Sequence, residues 1–523
     1  MIGPPSMKNE PAAPLQQKDA GHGHHHVDHI LHYPPSGEVP GLPRISATLY
    51  NQDLAPTKRE GRHWTSYSIF ALWANDVHSL GNYGFILGLF ALGLGAWQVL
   101  LALAIGATLL FFVLTYSGFM GHKTGVPFPV MSRIAFGIRG AQLPAAIRGA
   151  VAVVWFGIQT YLATLVLRVM VIAVDPGLGR LDHNSFLGLS TLGWISFIVL
   201  WVIQVVIVRY GMDMIRKYEV FAGPVVLFTL VALAVWMFFQ AGMSISFSTN
   251  KPLAGGAMWR SIFGGAALWV TIYGTFVLNF CDFTRASKSR GSIVRGNLWG
   301  IPVNTMLFGI IAVVMAGAQF KINGHIITSP SDVVEAIPNT VLVLLASLAL
   351  LVLTIAVNMM ANFVAPVYAL NNFFPKHLNF ARASLISAVI GLVILPWNLY
   401  NNPVVILYFL GGLGALLGPL FGIIMVDYWL IRKAQVNVPA LYTLQDSSPY
   451  FYQQGVNPRA IIAFVPAAVI SIVFGLVPFF HNIADFSWFF GAGIAAVLYY
   501  FLAGRNRRFE DVSGEPIAVA STH

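Results

Sequence analysis

About twelve times along its length this chain runs for roughly twenty residues with hardly a charged side chain, and nothing in it constrains the fold more. A bilayer's hydrocarbon core is about 30 Å thick and a helix rises about 1.5 Å per residue, so each run is long enough to cross once. The runs cover approximately residues 66–92, 97–120, 143–174, 187–209, 217–241, 259–283, 296–318, 338–369, 380–398, 402–431, 459–480 and 484–503. They are continuously apolar rather than alternating, which excludes a transmembrane barrel. Lipid offers no partner to backbone N–H and C=O groups, so each crossing must satisfy them internally, as a helix does. The expected class is an all-α polytopic membrane protein of about 12 transmembrane helices. A composition of 57% hydrophobic and 10% charged residues agrees, since it leaves too much apolar surface for water.

The formal net charge of +10 is not a nucleic-acid footprint, because the cations are confined to alternate connections. They precede the first run (Lys58, Arg59, Arg62). They then follow the second (Lys123, Arg133, Arg139), fourth (Arg209, Arg216, Lys217), sixth (Arg285, Lys288, Arg290), eighth (Lys376, Arg382), tenth (Arg432, Lys433) and twelfth (Arg505, Arg507, Arg508). The opposite connections hold little beyond Arg180, Lys251, Arg260 and Lys321. Basic loops stay in the cytoplasm, so the pattern predicts an inner (cytoplasmic) membrane protein with both termini cytoplasmic. The lone Cys281 excludes an intrachain disulfide, and the first run is expected to act as an uncleaved anchor.

Residues 1–62 are rich in Pro, Gly and His, and are expected to form a disordered cytoplasmic tail too polar to bury its own core. Its His-rich stretch 21–29 has the chemistry to chelate Zn²⁺ or Ni²⁺, though an incidental polar tail accounts for it as well. Two basic, Gly- and Pro-containing connections, Ser117 to Arg148 and Asp282 to Pro302, are weakly alike at an interval of about five runs. A repeat of five runs starts its second copy, at the sixth run, on the opposite side of the membrane. It predicts inverted five-helix repeats over residues 63–241 and 242–431. A cytoplasmic loop 432–458, two peripheral helices within 459–504 and a cytoplasmic tail 505–523 complete the chain.

The first run is interrupted by Trp73-Ala-Asn-Asp-Val-His-Ser-Leu-Gly-Asn-Tyr83. A charged side chain at mid-membrane costs at least about 2.5 kcal/mol, so Asn75, Asp76, His78, Ser79 and Asn82 must face the protein interior. Such density beside Gly81 suits a helix that unwinds, freeing carbonyls for a cation and side chains for a substrate. An unbroken helix whose polar groups bond its neighbours is the competing reading.

In the third run, Trp155 and Gln159 lie four residues apart on one face. An indole plane and a carboxamide suit a flat molecule with alternating N–H and C=O groups, but also suit plain packing with an interhelical hydrogen bond. The sixth run mixes Trp269, Tyr273 and Asn279 around Gly274, and the eighth places Asn358 and Asn362 on one face before Pro366. Asp282 with Arg285, and Asp427 with Arg432, stand at cytoplasmic helix ends as ion-pair or gate candidates. No HExxH, nucleophile elbow or paired Cys ligands point to an enzyme. A channel or ligand sensor on the same fold stays open.

Taken together, these motifs make the chain, from about residue 60 to 505, resemble the nucleobase:cation symporter-1 family. The resemblance rests on Trp73 to Tyr83, Gly125-Val-Pro-Phe-Pro-Val130 with Arg133, Trp155 to Gln159, Asn279 to Arg285, Asn362 to Pro366, Asp427 to Arg432, and Leu441-Tyr442 with Tyr450 to Asn457. It implies a five-plus-five inverted-repeat transporter with two extra C-terminal helices that imports a small planar nucleobase, ureide or cyclic amide by alternating access. Uracil is slightly favoured over allantoin, hydantoin and cytosine, because Gln and Asn amides suit its imide-like edges. It further implies stacking on Trp155, amide reading by Gln159, and polar contacts from Asn362 and Ser79. A stacking position that is tryptophan in sodium-coupled hydantoin carriers is Tyr273 here.

The same resemblance assigns a cation position to the carbonyls of Asn75 and His78, completed in sodium-coupled relatives by two hydroxyls. Those positions read Ala356 and Val357 here, unless Thr354 or Asn358 substitutes. H⁺ is therefore expected over Na⁺ as coupling ion, with Asp76 and then His78 as carriers. A cap role for Asp76 is the alternative. No cofactor and no firm metal site are expected, and the chain is expected to work as a monomer in the bilayer.

Overall fold

The computed structural model describes residues 41–249, 251–327, 329–402, 404–405, 408, 411–504 and 507–520. The His-rich stretch 21–29 lies outside the described residues, as does part of the tenth predicted run. Among the described residues the protein is all-helical, with only isolated β-bridges between extended segments.

The first predicted span is two helices, α1 (Ser66–Asp76) and α2 (Leu80–Ala91). Thr65 opens α1 with a reciprocal capping box to Ser68, and Ser79 restarts the chain by accepting the Asn82 N–H at 3.3 Å. Helix α3 (Ala96–Thr124) then runs unbroken until Gly125, whose φ of +72° stops it. A short buried helix α4 (Phe128–Phe136) leads into α5 (Gln142–Val174), and α6 (Thr191–Val208) and α7 (Met212–Gln240) follow.

The sixth span is broken too. Helix α8 (Gly255–Ile272) stops at Tyr273, and α9 (Gly274–Asn279) and α10 (Cys281–Thr284) continue it. Helix α11 (Arg290–Leu298) passes through a π-helical turn at Trp299–Val303 into α12 (Asn304–Asn323). The turn contains Pro302, whose missing N–H disturbs the regular ladder.

After the small α13 (Pro330–Glu335), α14 (Thr340–Asn358) meets a second π-helical turn, Met359–Phe363, before α15 (Val364–Phe373). Pro366 stands three residues beyond that turn, where it cannot donate to the Asn362 carbonyl. Helices α16 (Phe380–Val393) and α17 (Pro396–Tyr400) are separated by Leu395 at φ +50°, and α18 (Gly411–Ala415) precedes α19 (Leu417–Met425). The long α20 (Pro458–Leu476) and α21 (Ser487–Leu502) close the chain's helices and pack with α19.

Nine of the described helical stretches are long and apolar enough to cross a membrane. The other three predicted spans are the interrupted ones, α1–α2, α8–α10 and α16–α17, which the breaks shorten. Outward faces carry large apolar side chains, such as Phe221, Phe228 and Phe239 on α7, fit for a hydrocarbon belt. Inward faces use small residues for close approach. A Cβ on Gly121 of α3 would lie 2.5 Å from the Cys281 Cα of α10, so only glycine admits that contact.

Residues 41–62 depart from the expected disordered tail. Leu49, Tyr50, Leu54 and Ala55 are buried beside Val126, Phe128 and Tyr442. Tyr50 donates to the Ile517 carbonyl at 2.8 Å, and the Lys58 amide donates to the Val519 carbonyl at 3.0 Å. Composition counts only what a segment can bury against itself. Here the partners come from residues 126–128 after α3, from the loop at Tyr442 and from residues 517–519.

Candidate functional site

The break between α1 and α2 is a tight turn in which the Asn75 and Asp76 carbonyls accept the His78 and Ser79 amides at 3.2 and 3.0 Å. Asn82 seals it. Its Nδ2 donates to the Asp76 and Val77 carbonyls, both at 3.1 Å, and to the Tyr273 hydroxyl at 3.2 Å. That last bond joins the break in the first span to the break in the sixth. The Tyr273 hydroxyl also faces the Asp76 carboxylate. Asp76, Asn82, Tyr273 and the capping residue Ser79 therefore form one polar knot inside a lipid-embedded core.

His78 is fully buried, its Nε2 3.0 Å from Asn304 Oδ1 and its Nδ1 3.5 Å from the Tyr83 hydroxyl. Asn304 in turn donates to the Trp73 carbonyl at 3.0 Å, which ties α12 to the end of α1. Asn75 points the other way, towards α7. Its Nδ2 donates to Glu219 Oε2 at 2.6 Å and to the Glu219 and Ala71 carbonyls at 3.1 Å each. Glu219 has no exposed surface, and neither it nor Asp76 is in an ion pair among the described residues.

Sequence reading missed Glu219 because it sits two residues after Arg216-Lys217, where an acid reads as part of a solvated helix end. The signal it carried is its place within the predicted run 217–241.

On the other side, the π-helical turn of the eighth span faces α5. Asn358 Nδ2 reaches Gln204 Oε1 at 2.7 Å, Thr160 Oγ1 at 3.1 Å and the Phe156 carbonyl at 3.2 Å, while its Oδ1 accepts from Asn362 Nδ2 at 2.8 Å. The Phe156 and Phe363 rings meet edge to face at 4.5 Å. Asn358 is thus held against the turn of α5 that contains Gln159, and it holds Asn362 in turn. Trp155 and Gln159 are both half-buried, and the Gln159 amide has no hydrogen-bond partner among the described residues. Trp155 lies against Val154 and Ile158. Its ring does not touch Tyr273, which packs against Trp73 at 5.9 Å and Trp269 at 5.4 Å.

Ala356 and Val357 are buried and offer no side-chain oxygen. The Thr354 hydroxyl is used on the Leu350 carbonyl at 2.7 Å, and the Asn358 amide is committed to α5 and α6. Neither turns towards the Asn75 and His78 carbonyls.

At the helix ends expected to be cytoplasmic, Asp282 and Arg285 form no ion pair with each other. Asp282 accepts the Phe128 amide at 2.6 Å and Asn279 Nδ2 at 2.8 Å. Arg285 instead donates to the Asp53 carbonyl at 3.0 Å and lies over the Tyr368 ring. Arg285 continues the helical turn of α10, its amide bonded to the Cys281 carbonyl at 3.0 Å, but its guanidinium is taken by residues 53 and 368, far away in the chain. Asp427 and Arg432 do form a buried ion pair at 2.8 Å, with the Tyr499 hydroxyl donating to Asp427 at 2.7 Å.

Arg148, read from sequence as a loop residue, is buried in α5. It donates to the Thr275 carbonyl at 3.2 Å, to Asn279 Oδ1 at 3.2 Å and to the Ala361 carbonyl at 2.9 Å, clasping the third, sixth and eighth predicted spans beneath the knot.

Residues 56–491 match the sequence profile of a family described as permease for cytosine/purines, uracil, thiamine, allantoin. The chain is 33% identical over 469 residues to an allantoin permease of Bacillus subtilis, covering 87% of this chain and 94% of that protein. It is 32% identical over 484 residues to the purine-uracil permease NCS1 of Arabidopsis thaliana, covering 89% and 79%. Among solved structures it resembles Mhp1, a nucleobase-cation-symport-1 family transporter, in a closed conformation with bromovinylhydantoin bound. The TM-score is 0.70 at 24% identity, over 87% of this chain and 95% of that one.

Proposed function

The chain belongs to the nucleobase:cation symporter-1 family of membrane permeases, and from that premise we propose that it imports a small planar nucleobase, ureide or cyclic amide by proton symport. It is a transporter, not an enzyme. The observation that carries the reading is the meeting of two interrupted helices at Asn82–Tyr273, a few turns from the open carboxamides of Gln159 and Asn362. A helix broken in mid-membrane is tolerated where it lines a binding cavity, and it moves more readily than a continuous one. Alternating access about these breaks follows.

In this proposal Trp155 stacks on the ligand, Gln159 and Asn362 read its N–H and C=O edge, and Ser79 adds a hydroxyl from the first break. Tyr273, packed and hydrogen-bonded, closes the far wall. Uracil and allantoin both carry an N–H–C(=O)–N–H edge, which two carboxamides match donor to acceptor. The names of the relatives support the same pair, with hydantoin and cytosine as further candidates.

What supports protons over sodium is the lack of oxygen at Ala356 and Val357, together with the engagement of Thr354 and Asn358 elsewhere. Asp76 and His78 are the carriers the sequence offers. Counting the three interrupted helices as crossings restores about twelve spans, with both termini cytoplasmic and the monomer as working unit.

The test is uptake into proteoliposomes of labelled uracil and allantoin under either a proton or a sodium gradient. Proton-driven accumulation, competed by the other cyclic amides, is expected. Stimulation by sodium alone would refute the coupling, and absence of saturable uptake of any of them would refute the substrate class.

A further inference from the structure

Glu219 of α7 is a buried acid with no ion-pair partner among the described residues. It has no exposed surface, and no cation faces it. The elements packed against α7 are α1, α14, α12 and α6. From α1 come Asn75, Asp76, which is a second acid, and Tyr67, whose hydroxyl donates to the Val220 carbonyl at 3.4 Å. Helices α14 and α6 contain no titratable residue, and the sole one in α12, Lys321, is held at the far end by the Ala241 carbonyl. On α7 itself, Asp213 is paired with Arg216 and Lys217, and the Tyr218 hydroxyl donates to the Val352 carbonyl at 2.9 Å. An ionised carboxylate in such a place costs several kcal/mol unless something neutralises it.

The hydrogen bonds indicate what does. Glu219 Oε2 accepts from Asn75 Nδ2 at 2.6 Å, but Glu219 Oε1 and Asn75 Oδ1 are both buried without a partner. Each is an acceptor, so neither serves the other. One proton on Oε1 turns a carboxylate into a donor, and a carboxylic acid and a carboxamide are complementary through two parallel hydrogen bonds. The proton thus removes the buried charge and satisfies both oxygens at once. Asn75 is the penultimate residue of α1, so the bond it makes decides how firmly the end of the broken helix is held to α7.

We propose that Glu219 and Asn75 form the binding site of the coupling proton. The inference rests on the proton-symport reading above and moves the carrier from Asp76 to Glu219. In the step, the Glu219 carboxylate takes H⁺ from a hydronium ion entering from outside, leaving water. The O–H bond that forms is broken again when water on the cytoplasmic side takes the proton back. Protonated, the pair clamps α1 to α7. Deprotonated, the unshielded charge and the orphaned amide oxygen loosen the break and let the substrate go.

The experiment compares wild type, Glu219→Gln, Glu219→Asp and Asp76→Asn in proteoliposomes with labelled uracil or allantoin, reading gradient-driven accumulation, substrate-linked proton uptake, and substrate exchange with equal pH on both sides. A gradient of one pH unit is worth about tenfold in accumulation per coupled proton. Glu219→Gln, a fixed mimic of the protonated acid, is expected to lose that tenfold and the proton signal while exchanging substrate at the wild-type KM. Glu219→Asp is expected to keep a pH-gradient response.

Unchanged proton-linked accumulation in Glu219→Gln overturns the proposal, and its loss only in Asp76→Asn returns the role to Asp76. Equal loss of exchange in both Glu219 variants also overturns it, by marking a purely structural residue. A wild type that responds to sodium and not to pH refutes the proton-symport reading itself, an outcome visible before any variant is made.

Discussion

The Asn358–Asn362 pair allows a quantitative test of how the amide proposed to read the substrate is held. The 2.8 Å bond from Asn362 Nδ2 to Asn358 Oδ1 fixes the Asn362 carboxamide with its oxygen turned away. Asn358 is itself anchored by three contacts of its Nδ2, of which the one to Gln204 at 2.7 Å is the shortest. An amide has two hydrogens, so one of the longer contacts is shared. Replacing Asn358 by alanine leaves Gln204 Oε1 buried without a donor. Hydrogen bonds between membrane helices are worth about 0.6 kcal/mol on average and about 1.7 at most, so a loss near 2 kcal/mol is expected, well short of an orphaned charge.

The effect on binding is indirect. Freeing one side chain costs about 0.5–1.5 kcal/mol on association, so Asn358→Ala weakens ligand affinity about 2- to 10-fold. Asn362→Ala deletes the contact itself and costs about 1–3 kcal/mol, about 5- to 150-fold. In the double variant Asn358→Ala has nothing left to position and adds less than about 0.5 kcal/mol. The assay is displacement of labelled uracil or allantoin from the four purified proteins of the cycle, with a thermal midpoint recorded for each. If Asn358→Ala weakens binding by the same factor in both backgrounds, Asn358 acts independently and the positioning argument fails.

Gln159→Ala is expected to abolish uptake while the protein still reaches the membrane, because Gln159 bonds nothing in the protein that its loss would orphan. A fall in membrane yield matching the fall in uptake would contradict this. Asp427→Ala strands a guanidinium that is 3% exposed and is expected to destabilise by about 3–5 kcal/mol, with Asp427→Ala/Arg432→Met recovering much of it. Thermal midpoints decide, and a single variant as stable as wild type would refute it. Gly121→Ala is expected to prevent a monodisperse preparation, since its Cβ has 2.5 Å to the Cys281 Cα, whereas Gly88→Ala, with nothing within 4 Å, is tolerated. Size-exclusion profiles of the pair check this.

How much of this was legible in the chain depended on whether the signal was local. The apolar runs, the alternating basic loops and the interruption at Trp73–Tyr83 are properties of consecutive residues, and each reappears as helices, helix ends and a break. The burial of Leu49, Tyr50, Leu54 and Ala55 was not legible, because their partners come from distant loops. Nor was the separation of Asp282 from Arg285, whose guanidinium is taken by the Asp53 carbonyl and the Tyr368 ring.

The candidate site divides in the same way. The sequence alone determined that Asn75, Asp76, His78, Ser79, Gln159 and Asn362 lie inside a membrane protein, because lipid makes exposure of such groups too costly. It also determined that Ala356 and Val357 bring no oxygen to a cation. Only the tertiary structure decided that Tyr273 meets Asn82, that Asn358 holds Asn362, and that Asn75 pairs with Glu219. An acid next to Arg216 and Lys217 reads as a solvated helix end, and burial is a property of what other helices place around it. Whether a carboxylate is solvated or buried without a counter-charge is set by those neighbours, which one dimension does not show.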